Sequence, residues 1–429
     1  MTIVMVVLLV IYLLMVIFGY WMKFLNLGYL RRNGHIIPKP FEGHIDGELL
    51  KKTSDYTFEH SRFGYIASIF ENILLIAFLF GGIMMIYNRW ITSLDMSFVW
   101  TGILFFLLLD IASTILGIPF DLYSTFKIEN KYGFNTMTPK LWITDFIKSL
   151  VISILLLIIT SGIALWIIQA SPNYWWMWLW AFFLLFSLFF MYISPYVIEP
   201  LFNKFTPITE FEGLEEKIRA MFEKVGIRVS RVFQIDASKR SKHTNAYFTG
   251  IGKVKRIILY DTLLQKMTQD EILAVLAHEA GHWKKKHILK RIILSEVMGF
   301  IGFYISFRLL QTNWLTDWFN IEPSPTYLDK STFFVKLVIL GFVGSIISFP
   351  FAPISAYFSR KQERQADQMA VNLTGSPDGL VSALIKLSKD NLSNLHPHPL
   401  YAKLYYSHPP IVQRLEQLQQ MRPEEREAR

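Results

Sequence analysis

Seven long apolar runs constrain this 429-residue chain more than any other feature. They cover residues 2–19, 65–87, 98–117, 146–169, 175–194, 292–311 and 334–357. Each is near the ~20 residues that a helix needs to cross a bilayer. Hydrocarbon hydrates no backbone group, so such runs fold as helices whose peptide groups bond within the segment. Charged residues make up 18% of the chain, against roughly 25% in soluble domains. The first run lacks a basic start and a small-residue cleavage site, so it reads as a retained helix and not a secretory leader.

The basic residues orient this array. Lys23, Arg31, Arg32, Lys39, Lys51, Lys52 and Arg62 lie between the first two runs, and Lys127, Lys131 and Lys140 between the third and fourth. Residues 196–291 and the C-terminal region are also rich in Lys and Arg. The alternate loops hold Arg89 in 88–97, nothing in 170–174 and Lys330 in 312–333. By the positive-inside rule the N-terminus is outside, and residues 196–291 and the C-terminus are cytoplasmic. This accounts for the net charge of +9 without a nucleic-acid partner; the first partner is the lipid bilayer. Three parts follow: a five-span membrane region (1–195) with polar segments at 22–62 and 118–145, a cytosolic insertion (196–291), and two further spans with a cytosolic C-terminal region (292–429). Trp175, Trp176, Trp178 and Trp180 read as an interfacial aromatic belt. The tail from about Gln419, with Arg422 to Arg426, reads as a solvated end.

Chemistry concentrates in the insertion. Gly213–Val225 has amphipathic helical spacing, and Val229–Ile235, Thr244–Thr249 and Arg256–Tyr260 read as short strands. Thr268-Gln269-Asp270-Glu271 fits a capping box, opening a helix with Ile272, Val275 and Leu276 as its buried stripe. On that helix stands His278-Glu279-Ala280-Gly281-His282. Positions four apart share a helical face, so the two histidines can grip one cation, with Glu279 beside them to take a proton from water. There is no cysteine, so any metal is held by His, Asp or Glu. Gly281 costs about 1 kcal/mol of helix propensity; the close approach of another backbone or of a substrate would explain it.

A hydrolytic zinc site takes three protein ligands and a water. The best third candidate is Glu363, in Ser359-Arg360-Lys361-Gln362-Glu363-Arg364-Gln365-Ala366-Asp367. Asp367 shares its face and can accept the free ring N–H of a ligating histidine. Both carboxylates are equally placed to pair with Arg360 and Arg364 as ordinary anchors. Glu71, Asp110 and Glu296 fall inside spans, facing either a wet chamber or partners such as Lys148 and Arg308. His396 and His398 read as an exposed loop, with no metal expected there. His35, His44, His60, His243 and His287 read as ordinary surface or interface residues. Lys284, Lys285, Lys286, Lys290 and Arg291 read as headgroup anchors.

Further stretches carry a resemblance: Pro119-Phe120-Asp121-Leu122-Tyr123-Ser124-Thr125-Phe126 with Glu129 and Tyr132-Gly133-Phe134-Asn135; Ser238-Lys239-Arg240-Ser241 and Asn245-Ala246-Tyr247-Phe248; and Ser407-His408-Pro409-Pro410 with Arg414. Together with the two metal motifs, this ordered set resembles the type I CAAX prenyl endopeptidases, integral-membrane zinc metallopeptidases. The resemblance implies a multi-pass α-helical membrane protein, seven helices around a water-filled chamber, with an α+β zincin-like protease domain. It implies one Zn2+ per chain on His278, His282 and Glu363, with Glu279 as catalytic base. It further implies that Asn245, Ala246, Tyr247 and Phe248 pair with a peptide or protein substrate as an added strand. His408 and Arg414 would face the scissile peptide or its oxyanion. The implied substrate class is a prenylated C-terminus, although no residue reports prenyl recognition. Two other readings compete: a quality-control membrane metalloprotease with no prenyl requirement, and a metal transporter or sensor, which would carry its ligands mid-span. Short loops and the absence of a C-terminal retrieval signal point to a prokaryotic plasma membrane, with the endoplasmic reticulum as the alternative.

Overall fold

The computed structural model describes residues 1–208, 210–249 and 254–421. The expected solvated tail from Arg422 onward lies outside the described residues. Seven helices among them are long and apolar enough to cross a membrane: Ile3–Asn33, Gly47–Phe80, Phe98–Tyr132, Pro139–Ala170, Trp175–Phe202, His287–Leu310 and Phe333–Thr374. Local chemistry starts several of them. Thr2, Asp46 and Thr138 each accept a hydrogen bond from the backbone N–H three residues on, satisfying a donor the helix itself cannot.

The helices run well beyond the apolar runs. The first continues to Asn33, with Arg31 and Arg32 in its last turn, where cations favour the helix dipole. The second already begins at Gly47. The polar segment 22–62 is therefore largely helix that stands clear of the apolar zone, with a 3-10 turn at Lys39–Phe41 inside its connection. Hydropathy marks where lipid stops; backbone hydrogen bonding carries on past it. The run 65–87 is also divided, because the helix ends at Phe80 and Gly82 takes φ +83 before a short helix at Ile83–Ser93. The final span and Glu363 share one helical rod, interrupted once. Phe333–Ser348 passes through a 3-10 turn at Phe349–Phe351 into Ala352–Thr374. Pro350 and Pro353, lacking amide hydrogens, account for this interruption of the α-helical bonding.

A four-stranded sheet lies in the polar domain: β1 (Phe205–Pro207), β2 (Arg228–Ile235), β3 (Ala246–Thr249) and β4 (Val254–Tyr260), in the order β1-β2-β4-β3. β2 and β4 are parallel, and the two outer pairs are antiparallel. Three strands match the sequence expectation. β1 was not anticipated, because three residues ending in a proline show no periodicity. Leu214, Ile218, Met221 and Phe222, on the helix Leu214–Glu223, share one core with Val229, Val232, Ile257 and Leu259. Fully burying each such side chain contributes about 1.5–3 kcal/mol. Phe41 and Leu50, Ala370 and Val371, Leu380, Val381, Ala383, Leu384 and Ile385, and Leu415 and Leu418 belong to the same core. The polar domain is thus assembled from the insertion, the C-terminal region and the first inter-helix connection.

The basic segments gather at this end. Asn135 bridges to Ser241, and Thr136 Oγ1 donates to the Ser238 carbonyl at 2.7 Å. Arg240 grips Asp145 at 2.7 and 3.2 Å. His243 stacks on Phe134 with Nε2 3.2 Å from Glu129 and Nδ1 2.8 Å from Asn391. At the opposite end, Lys330 meets Asp95 at 2.8 Å and Asn88 donates to the Ser331 carbonyl at 2.6 Å.

Two readings of the membrane part need correction. Trp175 is buried edge-on to Phe307, and Trp176 and Trp180 pack against Phe300. Only Trp178 of the four is exposed, so the cluster mainly seals the fifth spanning helix against the sixth. The apolar bodies of the other three find better cover between helices than at an interface. Among the described residues, no ion pair joins Glu71, Asp110 or Glu296 to Lys148 or Arg308. Lys148 instead donates to the Leu201 carbonyl at 2.7 Å, and Asp110 keeps one buried carboxylate oxygen without a hydrogen-bond partner among the described residues.

Candidate metal centre

The motif helix, Gln269–Lys284, opens with both bonds of its capping box: Thr268 N–H to Glu271 at 2.8 Å, and Glu271 N–H to Thr268 Oγ1 at 3.4 Å. The Glu271 carboxylate also accepts from Lys386 at 2.7 Å and Ser382 at 2.5 Å. The cap is therefore tied to the helix Asp378–Asp390. Ile272, Leu276, Ala277 and Ala280 are buried along the helix, while Val275 is only partly covered.

At Gly281 this helix meets the rod carrying Glu363. A Cβ there would lie 2.9 Å from Ala366 Cα and 3.1 Å from its carbonyl oxygen. Another backbone is thus the reason for the glycine. Backbone atoms cannot rotate aside, so Gly281→Ala is expected to push the two helices apart. Overpacking of this kind costs about 1–3 kcal/mol and outweighs the gain in helix propensity. Melting temperature and metal content of the purified variant should both fall.

The crossing brings the three candidate ligands together. His278 Nε2 and His282 Nε2 are 3.2 Å apart; Glu363 Oε2 is 3.4 Å from the first, and its Oε1 is 3.3 Å from the second. A tetrahedral cation with bonds of ~2.0–2.1 Å separates its ligands by about 3.3–3.4 Å. Glu363 Oε2 is buried without a hydrogen-bond partner among the described residues, an unsatisfied acceptor that a cation would satisfy. The donor set and spacing fit a divalent metal with one position left open.

Asp367 Oδ1 lies 2.7 Å from His278 Nδ1. Arg414 donates to the same carboxylate at 2.7 Å (Nε) and 2.6 Å (Nη2) and is only 8% exposed. Arg360, the alternative partner, instead donates to the carbonyls of Ala402, Lys403 and Tyr406 at 3.3, 2.8 and 2.6 Å. Arg364 is exposed. His408 Nε2 stands 3.4 Å from Glu363 Oε1 with its side chain 62% exposed, and Ser407 Oγ is 3.0 Å from its Nδ1. Burial pushes the Glu279 carboxyl above its ordinary pKa, while His278 and His282 pull it back.

Three histidines have contacts that the sequence did not indicate. His287 is only 2% exposed, with Nδ1 3.2 Å from His282 Nδ1 and Nε2 2.9 Å from Gln365 Oε1. It follows His282 by five residues across a helix break, so helical spacing gave no sign of the contact. His396 docks on the Ile36 carbonyl at 2.7 Å, and His398 caps the helix Pro399–Tyr405. Neither belongs to a free loop.

β3 forms one edge of the sheet. The Asn245 side chain accepts from the Ala246 N–H at 2.8 Å, and its carbonyl accepts from the Tyr260 N–H at 3.1 Å. Ala246 and Phe248 pack into the polar-domain core. Tyr247 belongs to the other face and donates to Glu199 at 2.7 Å. Ala246, Tyr247 and Phe248 turn their side chains to the two faces of the sheet while Asn245 is exposed, so main chain is most of what the edge offers.

Residues 26–204 match the family described as "CAAX prenyl protease N-terminal, five membrane helices" and 209–422 match "Peptidase family M48". A rice (Oryza sativa subsp. japonica) "CAAX prenyl protease 1 homolog" is 35% identical over 395 residues, covering 89% of this chain and 90% of the relative. The chain belongs to peptidase family M48. Other relatives include "CAAX prenyl protease 1" of Saccharomyces cerevisiae, 34% identical over 408 residues with 88% and 87% covered, and the Homo sapiens homologue, 32% identical over 434 residues with 90% and 89% covered. The crystal structure of S. mikatae Ste24p superposes with TM-score 0.88 at 30% identity, covering 97% of this chain and 99% of that one. The protein is thus an integral, multi-pass M48 metallopeptidase, a hydrolase that uses a metal and acts on peptide or protein substrates. The transporter and sensor readings are not favoured.

Proposed function

We propose that this M48 peptidase is a zinc-dependent endopeptidase that processes CAAX-type, prenylated C-terminal substrates. The ligand triangle of His278, His282 and Glu363 carries the chemical part of this reading. The names of relatives matched over nearly the whole chain support the substrate class. Two imidazoles and a carboxylate at tetrahedral spacing suit zinc. A cation held there by His278, His282 and Glu363 would acidify a bound water and polarise the scissile carbonyl.

The chain's own residues supply the remainder. Glu279 takes the proton of the attacking water and returns it to the leaving amine; its raised pKa suits both halves of that task. His408, exposed beside Glu363, hydrogen-bonds the developing oxyanion. Ser407 can donate to its Nδ1, which leaves the Nε2 proton to do so. Arg414 has its guanidinium committed to Asp367 and acts as a positioning residue behind His278. An extended substrate adds to the free edge of β3 at Asn245 to Phe248, gaining main-chain hydrogen bonds with little side-chain selection. The Asp110 oxygen, without a hydrogen-bond partner among the described residues, supports a wet chamber among the helices.

The basic segments at the protease end support a cytoplasmic active site, an outside N-terminus and no nucleic-acid partner. Short loops support a prokaryotic plasma membrane. The three eukaryotic relatives support the endoplasmic reticulum as the alternative.

The test is cleavage of a farnesylated CAAX peptide against its unprenylated match by the purified protein, with metal analysis of the same sample. One zinc per chain and faster cleavage of the farnesylated peptide are expected. Equal cleavage would remove the prenyl requirement and leave the peptidase.

A further inference from the structure

His287 stands at the first position of the sixth spanning helix, His287–Leu310. Just before it, Lys286 takes φ +56, an uncommon conformation for a residue with a Cβ. This reversal turns the new helix back against the motif. Arg291, one turn on, donates to Gln362 Oε1 and to Ser359 Oγ, both at 3.0 Å. The start of the sixth helix is thereby clamped to the rod that carries Glu363. Within this clamp the His287 ring meets the His282 ring at 5.2 Å and 76°.

Proton counting gives the contact a direction. A ligating His282 keeps its Nε2 lone pair for the cation, so its proton sits on Nδ1. That N–H points at His287 Nδ1, 3.2 Å away, which must then be the acceptor. The His287 proton is left on Nε2, 2.9 Å from Gln365 Oε1. An amide oxygen only accepts, so the chain ends there consistently. With the Gln365 amide reversed, its NH2 would donate to His287 Nε2, the proton of His287 would move to Nδ1, and His282 would have to accept on Nδ1. That would place the His282 proton on Nε2 and abolish the ligand.

We propose that His287 and Gln365 form a neutral relay that fixes the tautomer and ring orientation of His282. They are positioning residues for the metal site, and the proposal rests on the metallopeptidase reading. The two ligating imidazoles are then supported unequally. His278 donates to an anion, Asp367, itself held by Arg414; His282 donates to a neutral imidazole. Carboxylate acceptors raise ligand basicity, so His278 is the stronger donor to the cation and His282 the weaker.

Zinc affinity of the purified full-length protein, measured by equilibrium competition with a chelator, tests the relay without relying on turnover. His287→Leu is expected to weaken zinc binding by about 10–100-fold. His287→Asn, whose side-chain oxygen can accept the same N–H, should stay within a few-fold of wild type. Gln365→Leu alters an exposed position, so it keeps the test available if His287→Leu fails to fold. It should weaken zinc binding in the same direction while leaving the melting temperature of the metal-free protein unchanged. The relay is overturned if Gln365→Leu and a folded His287→Leu bind zinc as tightly as wild type, or if His287→Asn loses as much as His287→Leu. Wild-type protein that binds no metal would instead overturn the metallopeptidase reading beneath it.

Discussion

Glu279→Gln is expected to lower kcat for peptide hydrolysis by about 10²–10⁴-fold, the usual contribution of a positioned general base. Metal content should not change. The amide is isosteric, and the ligand triangle of His278, His282 and Glu363 closes without Glu279. KM should move little, since the proposed substrate contacts are main-chain ones along β3 and do not involve the Glu279 side chain. The measurement is steady-state kinetics on one peptide, with zinc analysis of the same preparation. Near-normal turnover by zinc-loaded variant would show that the proton passes through another group, and His408 would be examined next.

Arg414→Met should be the most destabilising change near the site. It would leave Asp367, 3% exposed and within 2.7 Å of His278, without the guanidinium that neutralises it. Removing one partner of a buried ion pair typically costs about 3–5 kcal/mol, and thermal or urea unfolding in detergent would read that loss. The double variant Arg414→Met with Asp367→Leu separates stability from metal binding. Replacing both charges by apolar groups is often close to neutral for folding, so much of the stability should return. Zinc affinity should not, because His278 Nδ1–H has then lost its acceptor. Recovery of affinity in the double variant would show that Asp367 does not orient the ligand.

How far these sites were legible depended on whether their geometry is local. Thr268 and Glu271 are three apart, and His278 and His282 four apart, so a capped helix with two rings on one face follows from helical repeat alone. The alternation of Val229–Ile235 and the neighbouring segments was readable for the same reason. β1 was not, because three residues carry no period. The overrun of the first two spanning helices was hidden because charged residues such as Glu48, Lys51 and Lys52 are good helix formers that hydropathy discards. His287 was passed over because its partner ring lies across a reversed chain at Lys286.

Seven spans, a histidine pair with an adjacent carboxylate, and a second acidic motif were written in the one-dimensional order, where periods of a few residues translate directly into helical faces. Gly281 also announced itself as a misfit in its own helix. Tertiary structure alone decided that Ala366 is what presses on that glycine, that Glu363 completes the triangle instead of pairing with Arg364, and that Arg414 backs Asp367 while His408 stays open to solvent. The physical reason is sequence distance. These contacts join residues separated by 47 to more than 80 positions, and their direction depends on how two helices cross, which no local repeat encodes.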